Sequence, residues 1–155
     1  MAIVMLTDDE RRRVLTVVCD EPMMQQIYMR LKNPRLCRTM LPETLVGLLP
    51  STYEMMVFGL YEGQYQVAIM DEHGESSRLR MSDAVLLSII SHIPLYIEED
   101  LMRRQSVPFD ETATGIAIPI NTMDIPRLKM ALAKAIDVEN YELASKLRDE
   151  INNRK

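Results

Sequence analysis

Tryptophan is absent, histidine occurs twice, and the only cysteines are Cys19 and Cys37. The two thiols have no metal-ligand spacing, and no His/Cys cluster is visible anywhere in the chain. Cys19 ends an apolar run and reads as a small buried hydrophobe. Glycine is scarce, and neither a Gly-rich phosphate loop nor a dinucleotide-binding signature is present. No nucleophile–base pair stands out. No apolar run approaches the length that crosses a bilayer, which predicts no membrane span. The start of the chain lacks a long apolar segment, and Asp8-Asp9-Glu10 arrives early, so no secretory leader is expected. The expectation is a cytoplasmic protein with reduced thiols. A net charge of −5 argues against broad electrostatic capture of nucleic acid, though a local basic patch is compatible with it.

What is present is enough for one compact domain and a small appendage. The chain has 155 residues, 47% of them apolar, so it can bury a core. Methionine is frequent, with 13 copies, including Met23-Met24 and Met55-Met56. Such side chains serve adaptable surfaces or fill cores, and core filling is the simpler reading here.

Along the chain, Ala2–Leu6 and Arg13–Cys19 read as a β-hairpin around an acidic turn. A sheet that starts so early leaves an edge on which a neighbouring subunit can pair, which predicts a homo-oligomer. Glu21-Pro22 opens a helix that Asn33-Pro34 stops, with Pro22 in the first turn, where its missing N–H costs nothing. Arg35 and Arg38 then fall in a loop. Pro42-Glu43 opens a short helix closed by Pro50. Tyr53–Tyr61, Tyr65–Met70 and Ser76–Arg80 form a three-stranded meander, with Met55 and Val57 on one face of its first strand. Ser82-Asp83 starts a strongly apolar helix, Ser82 as its N-cap and Asp83 in its first turn. A short strand at Ile93–Ile97 and a helix from Glu98 to Gln105 follow. Residues 106–125 hold two prolines, a glycine and one apolar patch, Ile116–Ile120, and read as a linker that packs in part on the domain. The elements do not alternate as in a doubly wound fold. The fold class expected for residues 1–105 is α+β, with a mixed, largely antiparallel, curved or barrel-like sheet.

Residues 126–155 carry two apolar-periodic stripes with Asp137-Val138-Glu139 between them. So short a connection predicts an antiparallel helical hairpin. Helices of this length are marginal alone in water, so the pair needs a surface to pack on. Tyr141-Glu142-x-Ala144-x-x-Leu147-Arg148-Asp149-Glu150-Ile151, preceded by Leu128, Leu132, Ala135 and Ile136, resembles the UVR motif of UvrB and UvrC. The resemblance implies contact with another protein, UVR-containing or otherwise, through Leu128, Leu132, Ile136, Tyr141, Leu147, Arg148 and Ile151. An ordinary helical tail folded onto its own domain is the alternative.

Residues 1–105 resemble the bifunctional nuclease family. The segments that carry the likeness are Arg80-Met81-Ser82-Asp83-Ala84, the apolar helix after it, Pro94-Leu95-Tyr96-Ile97-Glu98-Glu99, and Pro34-Arg35. The resemblance implies an α+β, barrel-like sheet, self-association, and DNase and RNase activity. Three departures bear on that activity. Leu36-Cys37-Arg38-Thr39-Met40 stands where the family places Pro-Leu-Thr-His-Asp. Met23 stands in place of a Glu, and Arg78 in place of an Asp.

Phosphodiester hydrolysis needs an activated water and stabilised charge on the phosphate, usually through a metal held by clustered acids. By resemblance the candidate catalytic residues are Asp83, Ser82 and Arg80. Arg35 and Arg78 are candidate phosphate clamps, since a guanidinium fork bonds phosphate oxygens in pairs. A divalent metal such as Mg²⁺ or Mn²⁺ would be the cofactor of a catalytic form, and no metal ligands are assigned. Each candidate also has a structural reading: Ser82 as a cap, Asp83 as a first-turn acid, His73 as an exposed turn residue, and His92 as a positive group near a helix C-terminus. Two functions follow. One is a nuclease recruited by its hairpin. The other is a non-catalytic oligomeric adaptor that recruits a partner through the hairpin.

Overall fold

The computed structural model describes residues 2–49, 53–112 and 119–154. Within the apolar patch expected at Ile116–Ile120, positions 116–118 lie outside the described residues. Strand β1 (Ala2–Thr7) pairs antiparallel with β2 (Arg13–Cys19), as the sequence predicts. Their turn is closed by Asp8 Oδ1, which accepts the amides of Arg12 at 2.7 Å and Arg13 at 3.1 Å. Helix α1 (Glu21–Lys32) follows at once, with Asp20 as its N-cap accepting the Met23 amide at 2.7 Å. Arg35 sits in a 3-10 turn, Pro34–Cys37, and Arg38 caps it, where a loop was expected. The prolines explain the difference, because Pro34 presets the tight φ that a 3-10 turn needs. Helix α2 (Leu41–Leu48) completes this layer.

The meander is present as expected: β3 (Tyr53–Tyr61), β4 (Gln64–Asp71) and β5 (Ser76–Arg80), antiparallel throughout. Helix α3 (Met81–Ser91) crosses over to β6 (Leu95–Ile97), which lies parallel to β3. Helix α4 (Glu99–Gln105) leads to β7 (Val107–Pro108), antiparallel to β2. The two sheets run β1-β2-β7 and β5-β4-β3-β6. They are not closed into a barrel, which corrects that part of the expectation. The bridging strands are too short to close one: β6 pairs with β3 over three positions and β7 with β2 over two.

Helix α3 is the hub, packing on α1, α2, β2 and the second sheet. Its Ala84, Val85 and Leu86 are buried, against Met55, Val57 and Val67 of the sheet, Leu15 and Val17 of β2, and Leu101 of α4. Met55 is fully buried while Glu54 beside it is exposed, the period-2 pattern of a half-buried strand. Complete burial of one such side chain contributes roughly 1.5–3 kcal/mol. Helix α1 is tied to α2 by Arg30 and Glu43, 2.7 Å apart and both largely out of water. The outer face of this pair leaves Tyr28, Leu31, Leu36, Leu41, Leu45, Leu48 and Leu49 exposed.

After a 3-10 turn at Ile120–Thr122 come α5 (Ile125–Asp137) and α6 (Tyr141–Asn153), the expected helical hairpin. Asp124 caps α5 and Asn140 caps α6 through the amides of Arg127 and Leu143. Glu139 takes the left-handed conformation that reverses the chain. The seam is a second core, separate from the first: Leu128, Ala135, Ala144, Leu147 and Ile151, closed over by Ile120 and Met123. The stretch expected as a linker therefore contributes to structure at both ends, with Ser106 and Asn121 buried. Among the described residues, no helix is long and apolar enough to cross a membrane.

Candidate functional site

A cleft of about 910 Å³ opens where the end of β2, the β3–β4 turn, the end of β5 and the start of α3 converge. Arg78 and Arg80 lie two residues apart on β5, on the same face and so about 7 Å apart along the strand. Ser82 sits at the start of α3, and the Ile120–Thr122 turn supplies Asn121 and Thr122 to the opposite wall. Three acids, Asp20, Glu21 and Glu62, line the cleft as well, so its charge is mixed. Cys19 lines it too, a buried free thiol whose pKa is pushed up by burial.

Arg78 stacks 5.5 Å from the centre of the Phe58 ring and donates to Gln66 Oε1 at 3.2 Å. Arg80 is paired with Asp83 as fork to fork, Nε donating to Oδ2 at 2.6 Å and Nη2 to Oδ1 at 3.1 Å. That bond and the Asp83 charge raise the pKa of Arg80, so it is charged at every working pH. Both oxygens of Asp83 are already engaged. Ser82 is not the helix cap: Arg80 holds that position without a side-chain bond, and Ser82 falls inside the first turn. The helix starts two residues earlier than an N-cap at Ser82 implies, and its first residue, Met81, is buried in the core.

The structure brings Arg78, Arg80 and Ser82 to one cleft and leaves Arg35 elsewhere, exposed on its 3-10 turn. His73 is exposed in its turn, its amide donating to Asp71 Oδ1, and His92 ends α3 in the left-handed conformation. Among the described residues, no group of three or more His, Cys, Asp or Glu side chains is gathered to hold a metal ion. The residues present do not fit a carboxylate-held Mg²⁺ or Mn²⁺, which asks for several oxygen ligands on one point.

The hairpin residues divide into two sets. Leu128, Leu147 and Ile151 are buried in the seam with Leu132 packed beside them, so they hold the helices together. Ile136, Tyr141 and Arg148 are exposed, together with Met130 and Val138, and offer the outward apolar surface. A polar knot fastens the hairpin to the domain. Arg13 Nη2 at 2.8 Å and Lys146 Nζ at 2.6 Å both donate to the buried carbonyl of Ser106, and Glu142 lies near both cations. Burial, and then the charge of Arg13, lower the pKa of Lys146. Sequence reasoning missed Asn121, Arg13, Lys146 and Arg154. Lys146 and Arg154 show only an i,i+4 acid partner, Glu142 and Glu150, and the contacts that tie all four residues to other elements lie far along the chain.

An open α+β domain with an arginine-lined cleft, carrying a separately cored two-helix tail, is the class that this geometry defines. Residues 4–110 match the bifunctional nuclease domain, and the chain belongs to the bifunctional nuclease family. Residues 125–154 match the UvrB/UvrC motif, over both helices and their turn. Comparison with curated proteins finds no match.

Proposed function

We propose that this nuclease-family protein holds a nucleic-acid backbone in the cleft between β2 and β5 and docks a second protein on the exposed side of its hairpin. The observation that carries the reading is the placement of Arg78 and Arg80 on one face of the cleft of a nuclease-family domain. The Arg78 guanidinium, and the donors of Arg80 that its pairing with Asp83 leaves over, suit phosphate, and the Phe58 ring beneath Arg78 supports a stacking surface of the kind single strands use. The acids in the same cleft oppose a larger phosphate footprint, so few contacts are made. Two clamped phosphates on a single strand give a salt slope of about −1.4 in log K against log salt. Fluorescence anisotropy with a labelled single-stranded oligonucleotide tests this. Arg78→Ala and Arg80→Ala should each weaken binding by roughly tenfold, the order of one charge-assisted hydrogen bond. A slope near zero, or no effect of either variant, removes the reading.

A second reading is DNase- or RNase-type phosphodiester hydrolysis, favoured by the family match itself. Against it stand the engagement of both Asp83 oxygens by Arg80 and the lack, among the described residues, of an acid cluster. The first reading therefore expects binding without cleavage. Cleavage of DNA or RNA with Mg²⁺ or Mn²⁺, abolished by chelator and by Asp83→Ala, would establish the enzyme instead.

The hairpin's outward surface, Ile136, Tyr141 and Arg148, is the part open to a protein partner, one with its own UVR hairpin or another. Self-association fits two features: the edge of β1, with Met5 exposed, and the run of exposed leucines on α1 and α2. Light scattering on the purified chain should give more than one protomer, and Leu31→Asp with Leu48→Asp should reduce it. A cytoplasmic location fits the free thiols of Cys19 and Cys37.

A further inference from the structure

Arg154 follows the last turn of α6, far in sequence from the cleft, yet its guanidinium reaches back to the main chain of the Ile120–Thr122 turn. It donates to the carbonyl oxygens of Ile120 at 3.2 Å and Asn121 at 2.8 Å, to that of Met123, and to Glu150 Oε1 at 2.6 Å. A guanidinium presents its donors in a rigid fork, so acceptors on four residues fix the turn in position relative to α6. On its other side the turn is fitted to the β3–β4 turn. The Asn121 side chain is 6% exposed and donates through Nδ2 to the Gly63 carbonyl at 2.8 Å. Gly63 has φ +76, and a Cβ there would come within 2.7 Å of the Asn121 carbonyl oxygen. Only glycine permits that approach. Among the described residues the Oδ1 of Asn121 finds no partner.

This turn contributes to the larger cleft, which Asn121 and Thr122 line together with Arg78, Arg80 and Ser82. Asn121 and Arg154 also line a smaller cleft of about 350 Å³ between the β3–β4 turn and α6. We propose that Arg154 is a positioning residue for the phosphate cleft: by anchoring the Ile120–Thr122 turn against Gly63, the end of the hairpin sets one wall of the site. The hairpin and the cleft are then one coupled system. A partner that grips the hairpin changes the cleft's affinity, and a ligand in the cleft changes the hairpin's affinity by the same factor. The identity of the ligand rests on the nucleic-acid reading, whereas the positioning does not.

The test uses the full chain as wild type, Arg154→Ala, Arg154→Lys and Gly63→Ala. Amide hydrogen exchange is followed at residues 62–66, 119–123 and within the α5–α6 seam, with and without a short single-stranded oligothymidylate. Arg154→Ala should speed exchange roughly tenfold at both 119–123 and 62–66, leave the seam unchanged, and weaken oligothymidylate binding about five- to tenfold. Arg154→Lys should fall between, because an ammonium keeps the charge but not the fork. Gly63→Ala should loosen the same two segments with Arg154 intact. In the wild type the oligothymidylate should protect 119–123, and in Arg154→Ala this protection should be lost. Loosening of 119–123 with 62–66 unmoved overturns the proposal. So does an unchanged affinity in Arg154→Ala under conditions where Arg78→Ala lowers it. If the wild type does not bind oligothymidylate, the nucleic-acid reading fails by itself. The exchange data then decide the positioning alone, joint loosening of the two segments supporting it and separate behaviour overturning it.

Discussion

The body of the protein and its tail solve the same packing problem at different ranges. The body gathers Leu15, Met55, Val67, Leu86 and Leu101 from strands and helices far apart in sequence, and no pair of neighbouring elements makes that core. The tail builds its core from two adjoining helices, Leu128 and Ala135 facing Ala144, Leu147 and Ile151. Each of its helices is capped by the residue just before it, Asp124 or Asn140. What joins the two regions is mostly polar: the Ser106 carbonyl shared by Arg13 and Lys146, and the carbonyls gripped by Arg154. Polar junctions between separately cored units come apart more readily than either core. On this arrangement the partner docking proposed for the tail would not require the body to unfold.

The comparison can be broken at several points. Met55→Ala should cost about 2–5 kcal/mol and lower the denaturant midpoint of the whole body, since Met55 is fully buried at the centre of the second sheet. Leu147→Ala should cost about 2–4 kcal/mol, confined to the tail. Hydrogen exchange should then show α5 and α6 opening, with the clamped 62–66 turn, while the rest of β3 and β4 stays protected. Equal loss of protection in both would mean one cooperative unit and would sink the comparison.

An alkaline titration sharpens the junction. Burial, and then the charge of Glu150 on the tail, push the Tyr65 hydroxyl well above its ordinary value of 10.0. The folded state keeps a proton that the unfolded state gives up, so this stabilising contribution is present below pH 10 and is lost as pH rises through the folded value. Stability should fall by up to about 1.4 kcal/mol per pH unit above pH 10 from this group. Tyr65→Phe should flatten that fall, and an unchanged slope would refute the assignment. The smallest effect belongs to the caps. Asn140→Ala should cost about 1 kcal/mol of tail stability, read as a drop in helix content on heating.

Legibility in the sequence follows the same division. The hairpin was readable because its signals are local, helical periodicity and a three-residue connection, whereas its caps, Asp124 and Asn140, were not read. The strands of the meander were also readable, because Met55 and Val57 alternate with outward residues and Glu62-Gly63 marks the turn. The closure of the sheet was not, since it depends on how few positions β6 and β7 pair. Asp83, Ser82 and Arg80 were named together by resemblance, and Arg78 with Arg35; that Arg78 shares a cleft with Arg80 and Ser82 while Arg35 lies elsewhere needed coordinates. Asp83 was found, but its engagement by Arg80 needed coordinates. Asn121 gave no signal, and Arg154 only an i,i+4 pair with Glu150, because the partners that tie them to the turn and to Gly63 lie far away along the chain.

The most direct test of the central claim, that the cleft between β2 and β5 is where nucleic acid is held, is an NMR titration of the labelled chain with a single-stranded oligonucleotide. The account predicts shifts concentrated at 63–66, 78–82 and 121–122, saturating together and weakened by salt. Shifts confined to the α5–α6 tail, scattered over the surface, or absent would contradict it.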